Sequence, residues 1–179
     1  MLPYLNWIKM TLRPRKSLGQ HFLSDTSYCY KLIRHADIRP CDTVVEIGPG
    51  TGELTRILLQ TSKNVIAIEF DREMIHYLKN RFARDLTGGP GKLQLINADV
   101  LKLDWDLILP EGSTKFVGNL PYNISTRILR RLAEIKDRLK DCTIMVQKSP
   151  YPPGFLCSTS DFDPCTFVLA LQKILPREV

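Results

Sequence analysis

At 179 residues, with 44% hydrophobic and 25% charged positions, the chain has the make-up of one globular domain, large enough for a core with helices on both faces of a sheet. A formal net charge of +6 favours a polyanionic partner, and a solvated basic surface accounts for it equally well. Five scattered cysteines (Cys29, Cys41, Cys142, Cys157, Cys165) with no C-x-x-C pair argue against a disulfide framework or a zinc site and suit a reducing, cytoplasmic compartment; no apolar run is long enough to span a membrane, and the opening ten residues are not read as a signal peptide.

Residues 1–24 form a basic arm in which Lys9, Arg13, Arg15 and Lys16 are unrelieved by any acid. Helical spacing of apolar residues follows over Ser27–Ala36, stopped by Arg39-Pro40. The apolar run Thr43–Ile47 reads as a strand, and it ends in Gly48-Pro49-Gly50-Thr51-Gly52, where alternating glycines let a nucleotide-like ligand approach the backbone. A helix over Glu53–Thr61 and a strand over Asn64–Glu69 come next. A helix from Asp71 to about Arg84 should bury Met74, Ile75, Leu78 and Phe82. Thr87-Gly88-Gly89-Pro90-Gly91 is a loop by composition. Further strands are expected at Leu93–Asn97, running into Ala98-Asp99, at Lys115–Val117 and at Cys142–Val146. From Ser149 a Pro-rich tail reads as loop until Thr166, where one more short strand begins. Strands alternating with helices predict an α/β, Rossmann-like fold with a mostly parallel sheet. The expected division is an arm (1–24), a catalytic domain (25–148) and a divergent tail (149–179).

Two constellations carry chemistry. Glu69 lies 21 positions after Gly48 at the end of the next strand, the place from which an acid accepts both hydroxyl protons of a ribose. Asp99, ending the third strand, can accept from an exocyclic adenine amine. The cofactor is then a dinucleotide or S-adenosylmethionine; the G-x-G-x-G form with Glu46 ahead of it suits a cationic sulfonium better than a pyrophosphate. The second constellation, Asn119-Leu120-Pro121-Tyr122, offers the Asn119 Oδ1 and the Leu120 carbonyl, stiffened by Pro121, as acceptors for both hydrogens of an aromatic amine, with Tyr122 stacked on the extruded base. A plain loop whose Asn or Ser125 caps a helix starting near Ile124 is the competing reading. On that helix Arg127, Arg130 and Arg131 fall at i, i+3 and i+4, a ridge able to grip phosphates or simply to face solvent.

With these residues in place, the chain resembles the small-subunit ribosomal RNA adenine N6,N6-dimethyltransferases. Lys16-Ser-Leu-Gly-Gln-His-Phe-Leu23, Glu46-Ile-Gly-Pro-Gly-Thr-Gly52, Glu69, Asp99, Asn119-Leu-Pro-Tyr-Asn-Ile-Ser-Thr126 and Met145-Val-Gln-Lys148 occur in the family's order, over roughly residues 13 to 148. The resemblance implies a seven-strand class I methyltransferase fold, S-adenosylmethionine as donor, no metal, and two methyl transfers to each of two adjacent adenosines of the immature small subunit by a monomer. It also implies that His21 and Leu23 line the cofactor's methionine end, Gly48 makes the tight turn, Glu69 holds the ribose, Asp99 the adenine, and Asn119 touches both cofactor and target amine. The glycine and Asn-Leu-Pro-Tyr forms resemble the housekeeping enzymes more than the relatives that methylate large-subunit RNA. DNA-adenine and protein-glutamine methyltransferases more often carry Pro-Pro-Tyr where this chain has Leu120-Pro121-Tyr122. Past Lys148 the family continues with a closing strand hairpin bearing a second stacking Phe and a helical RNA-binding domain, whereas here Ser149-Pro150-Tyr151-Pro152-Pro153 intervenes; these parts are expected to be incomplete. The alternative expectation is an inactive cofactor- and RNA-binding fragment or assembly factor.

Overall fold

Strands buried on both faces need apolar side chains at successive positions, and Val44-Val45-Glu46-Ile47 and Val65-Ile66-Ala67-Ile68 supply them, with the acid Glu46 as the exception. The computed structural model of the chain describes residues 26–87, 92–110, 114–120, 122–147 and 166–172. Its elements are α1 (Thr26–His35), β1 (Thr43–Ile47), α2 (Glu53–Thr61), β2 (Asn64–Glu69), α3 (Arg72–Arg81), β3 (Lys92–Asn97), β4 (Thr114–Leu120), α4 (Tyr122–Glu134), β5 (Leu139–Gln147) and β6 (Thr166–Gln172).

Several boundaries differ from the sequence expectation, each for a local reason. Asp71 caps α3 by accepting from the Glu73 amide at 2.9 Å, but the helix stops at Arg81 rather than near Arg84. Phe82 is still buried, whereas Ala83 and Arg84 are exposed and offer a further turn nothing to bury. β4 runs past Val117 through Gly118, Asn119 and Leu120 because these residues pair with Ile144, Met145 and Val146 of β5. α4 therefore opens at Tyr122, two residues earlier than the apolar spacing from Ile124 indicates. β5 begins at Leu139, three residues before the apolar run at Cys142.

The strand order is β3-β2-β1-β4-β5-β6, with the first five parallel and β6 antiparallel to β5, so the sheet continues into the tail beyond residue 148. One core layer packs Leu32, Leu58, Leu78 and Phe82 against Val44, Ala67 and Val117; the other packs Trp105, Ile128 and Leu132 against Val45, Ile68 and Phe116. Trp105 meets Phe116 edge-on at 5.3 Å between ring centroids. Because β1 is flanked by β2 on one side and β4 on the other, chain direction from β1 diverges there. The crevice outside the carboxyl ends of β1 and β4 is a topological switch point, the usual ligand position in such sheets.

At the opposite edge the strands begin in an ionic cluster. Lys115 Nζ, almost fully buried, donates to the carbonyls of Ala36, at 3.1 Å, and Asp37, and pairs with Asp42 Oδ2 at 3.0 Å. Lys140 Nζ reaches Asp42 Oδ1 at 2.9 Å, and the Arg39 amide donates to Oδ2 at 2.8 Å. Among the described residues no helix is long and apolar enough to cross a membrane.

Candidate functional site

Glycine at 48, 50 and 52 is required by backbone shape: all three have positive φ, at 71°, 54° and 82°. At Gly52 there is also no room, since an added Cβ would stand 2.6 Å from Phe82 Cε2 and 2.8 Å from Leu78 Cδ2. The turn is tied to β2, with the Gly48 amide donating to the Ile68 carbonyl at 3.0 Å and the Gly50 amide to Glu69 Oε2 at 3.3 Å.

Glu69 is buried at the end of β2, and its other oxygen accepts from the Asp71 amide at 2.8 Å. Both carboxylate oxygens thus already hold backbone, each keeping a further lone pair for a ligand hydroxyl. Burial raises its pKa, against the pull of the Asp71 and Gly50 amides. Glu46, 1% exposed on β1, is hydrogen-bonded by Thr55 Oγ1 at 2.6 Å. Burial pushes its carboxyl up to about 8, against the Thr55 hydrogen bond and with the negative charge of Glu69 adding to the rise. Among the described residues no cation pairs with either acid.

Asp99 is half-buried after β3, where Oδ1 accepts from the Leu101 amide at 3.0 Å and its carbonyl from the Lys102 amide at 2.9 Å. Between the ends of β2 and β3, Phe70 is 60% exposed, its carbonyl held by Asn97 Nδ2 at 3.1 Å.

The pairing of Ile47 with Gly118 sets Gly48 beside Asn119; a Cβ on Gly48 would lie 4.0 Å from the Asn119 carbonyl oxygen. Gly118 permits this, since a Cβ there would be 2.8 Å from the Ile47 carbonyl oxygen. Asn119 is half-buried, and the Leu120 side chain is packed into the core, leaving its carbonyl as the group it can offer. Gly48, Glu69, Asp99, Asn119 and Leu120 thus stand at one edge of the sheet. His21, Leu23, Arg13, Arg15, Lys16 and Pro121 lie outside the described residues, as does the side chain of Tyr122, whose backbone opens α4.

The three arginines of α4 divide. Arg127 and Arg130 are exposed, whereas Arg131 donates to the Leu103 carbonyl at 2.9 Å and pairs with Glu134.

The sequence pointed to Glu46 as the acid ahead of the glycines, but it gave no sign of Thr55, Phe70 or Arg81 at the site. Nothing in the sequence joins Arg81 to the turn thirty residues before it. The arrangement can hold a cationic, hydroxyl-bearing nucleoside beside an amide and a carbonyl that accept from an amine. Among the described residues no group of three or more His, Cys, Asp or Glu is placed to hold a metal.

The ribosomal RNA adenine dimethylase family model matches residues 11–153. Ribosomal RNA small subunit methyltransferase A of Janthinobacterium sp. (strain Marseille) is 42% identical over 137 residues, covering 75% of this chain and 51% of that protein. The mitochondrial ribosomal RNA small subunit methyltransferase of Arabidopsis thaliana is 41% identical over 151 residues, covering 83% and 37%. A dimethyladenosine transferase from Plasmodium falciparum superposes with TM-score 0.60 at 33% identity over 72% of this chain and 44% of its own. The 23S rRNA methyltransferase ErmE does so with TM-score 0.61 at 30% identity over 71% and 48%. The chain spans about half the length, or less, of these relatives.

Proposed function

The chain belongs to the ribosomal RNA adenine dimethylase family, and on that premise we propose that it is an S-adenosylmethionine-dependent N6,N6-dimethyltransferase of adjacent adenosines in small-subunit ribosomal RNA. The observation that carries the reading is the meeting, at the switch point between β1 and β4, of a positive-φ glycine turn bonded to Glu69 with Asn119.

The donor set fits the cofactor. The carboxyl groups of Glu46, Glu69 and Asp99 offer a ligand hydrogen-bond acceptors and, among the described residues, no cation stands beside Glu46 or Glu69 to neutralise a pyrophosphate, which favours S-adenosylmethionine over a dinucleotide. Glu69 accepts from the ribose hydroxyls, Asp99 from the adenine amine, and the glycine turn with His21 and Leu23 lines the methionine end. S-adenosylmethionine supplies a methyl group activated by its sulfonium.

The chain's own residues prepare the acceptor. An adenine amine is a weak nucleophile because its lone pair is delocalised into the ring. Asn119 Oδ1 and the Leu120 carbonyl accept its two hydrogens and turn the lone pair out of the ring plane, and Pro121 fixes their spacing. Tyr122 stacks on the base, which leaves its own stack to enter. Once methylated, the nitrogen is cationic and gives up one proton to water; the amine then keeps one hydrogen, and either acceptor suffices to orient the second transfer.

Arg13, Arg15 and Lys16 of the arm, with Arg127 and Arg130, contact flanking phosphates of the RNA; Arg131 serves mainly inside the fold. The chain does this work as a monomer, on the immature small subunit in the cytoplasm. Methyl transfer to immature subunits, read by mass spectrometry of the RNA, tests it. Two methyl groups on each of two adjacent adenosines are expected. Cofactor binding without transfer would instead favour an assembly factor that binds ribosomal RNA.

A further inference from the structure

Within the turn the Gly52 amide donates to the Pro49 carbonyl at 2.8 Å, but three positive-φ glycines visit many backbone conformations at little cost. Contacts from outside must fix the rest. From the β2 side the ties are the Ile68 carbonyl and the Glu69 carboxylate. From behind, the tie is Arg81, in the last turn of α3. Its Nη1 donates to the Thr51 carbonyl and to Glu53 Oε1, the latter at 3.0 Å. The Arg81 and Glu53 side chains are only 14% and 12% exposed. The guanidinium lies 5.4 Å from the centroid of the Phe82 ring, and that ring closes the space at Gly52. Charge-assisted bonds in such a shielded place are stronger than their solvent-exposed counterparts, and here one guanidinium nitrogen serves both acceptors.

We propose that Arg81 is a positioning residue for cofactor binding: by gripping the Thr51 carbonyl while braced on Glu53 and Phe82, it sets the shape of the turn at 48–52. This rests on the cofactor reading given above. Arg81 touches none of Glu69, Asp99 and Asn119 in the described contacts, so it acts through the turn alone. Its partners lie on the turn and on α2, which links the turn's shape to the docking of α3.

The test compares wild type, Arg81→Met and Arg81→Lys by amide hydrogen exchange without ligand and by calorimetry with S-adenosylmethionine. In Arg81→Met the Gly50 and Gly52 amides should exchange about tenfold faster, strand amides should be unchanged, and the cofactor dissociation constant should rise about tenfold, the size of one lost charge-assisted hydrogen bond. Arg81→Lys, which keeps the charge but not the guanidinium's shape, should fall between, and it carries the test if the Met variant does not fold. Turn exchange and affinity equal to wild type would overturn the proposal, as would a lowered melting temperature with both unchanged. Wild type that binds no S-adenosylmethionine would overturn the underlying cofactor reading, recognisable because exchange still reports the hold of Arg81 on the turn.

Discussion

The two edges of the sheet bury acids in opposite ways. Where the strands begin, Asp42 is buried yet surrounded by donors: burial pushes its pKa up, but Lys140, the Arg39 amide and Lys115 together outweigh that and hold it below the ordinary value. Where the strands end, Glu46 and Glu69 are buried as deeply, receive hydroxyl and amide donors but no cation among the described residues, and are raised. One edge closes its charge account within the fold. The other buries its acids without a cation among the described residues, and burial there favours the protonated form. Stability and function are thereby separated along the same strands, since Lys115 and Asn119 sit four residues apart on β4.

The largest effect should come from breaking the closed edge. Lys115→Met leaves the Ala36 and Asp37 carbonyls without their donor and Asp42 short of one cation, so unfolding free energy should fall by about 3–5 kcal/mol. Urea unfolding measures it, and cofactor affinity should stay at the wild-type value wherever the variant is folded. A loss below about 1 kcal/mol would mean that the two edges do not differ as described.

Breaking the open edge should act on the ligand. Glu69→Ala should weaken S-adenosylmethionine binding by about 1.5–3 kcal/mol, the range for charge-assisted hydrogen bonds, with some added loss from freeing the Gly50 amide. Calorimetry decides it. An unchanged dissociation constant would take Glu69 out of the cofactor site.

The edges should also differ in pH dependence. Glu46 has a folded pKa above its unfolded value, so the folded chain keeps a proton that the unfolded chain gives up. Its contribution is complete below the unfolded pKa near 4.5 and is lost as pH rises toward about 8. Stability of the ligand-free protein should fall by about 1.4 kcal/mol per pH unit from this group across that window, and Glu46→Gln should remove the slope. Asp42, held low, should act oppositely, its contribution present above the unfolded pKa near 3.8 and lost only in acid below it. Denaturation midpoints between pH 2 and 9 test both signs.

The smallest effect concerns the surface beyond both edges. Arg127→Ala and Arg130→Ala should each lower the log–log salt slope of RNA binding by about 0.7–0.9, whereas Arg131→Ala, already engaged with Leu103 and Glu134, should leave it alone. Equal slopes for all three variants would erase the distinction.

β1, α2 and β2 were legible to the residue because each is a short apolar pattern bounded by glycine or charge. The added lengths of β4 and β5 were not, because Gly118, Asn119 and Asp141 become strand through their neighbours in the ladder and not through their own preference. At the site, the glycine alternation, the spacing to Glu69 and the Asn119 motif are local features, so the sequence by itself determined the order of the parts and the expectation of a nucleoside-bearing cofactor. Only the tertiary structure decided that Glu69 braces the turn it serves, that Glu46 is buried without a cation among the described residues, and that Arg81 reaches back to Thr51. Those facts depend on which strands and helices become neighbours, and burial and charge act through space between residues far apart along the chain.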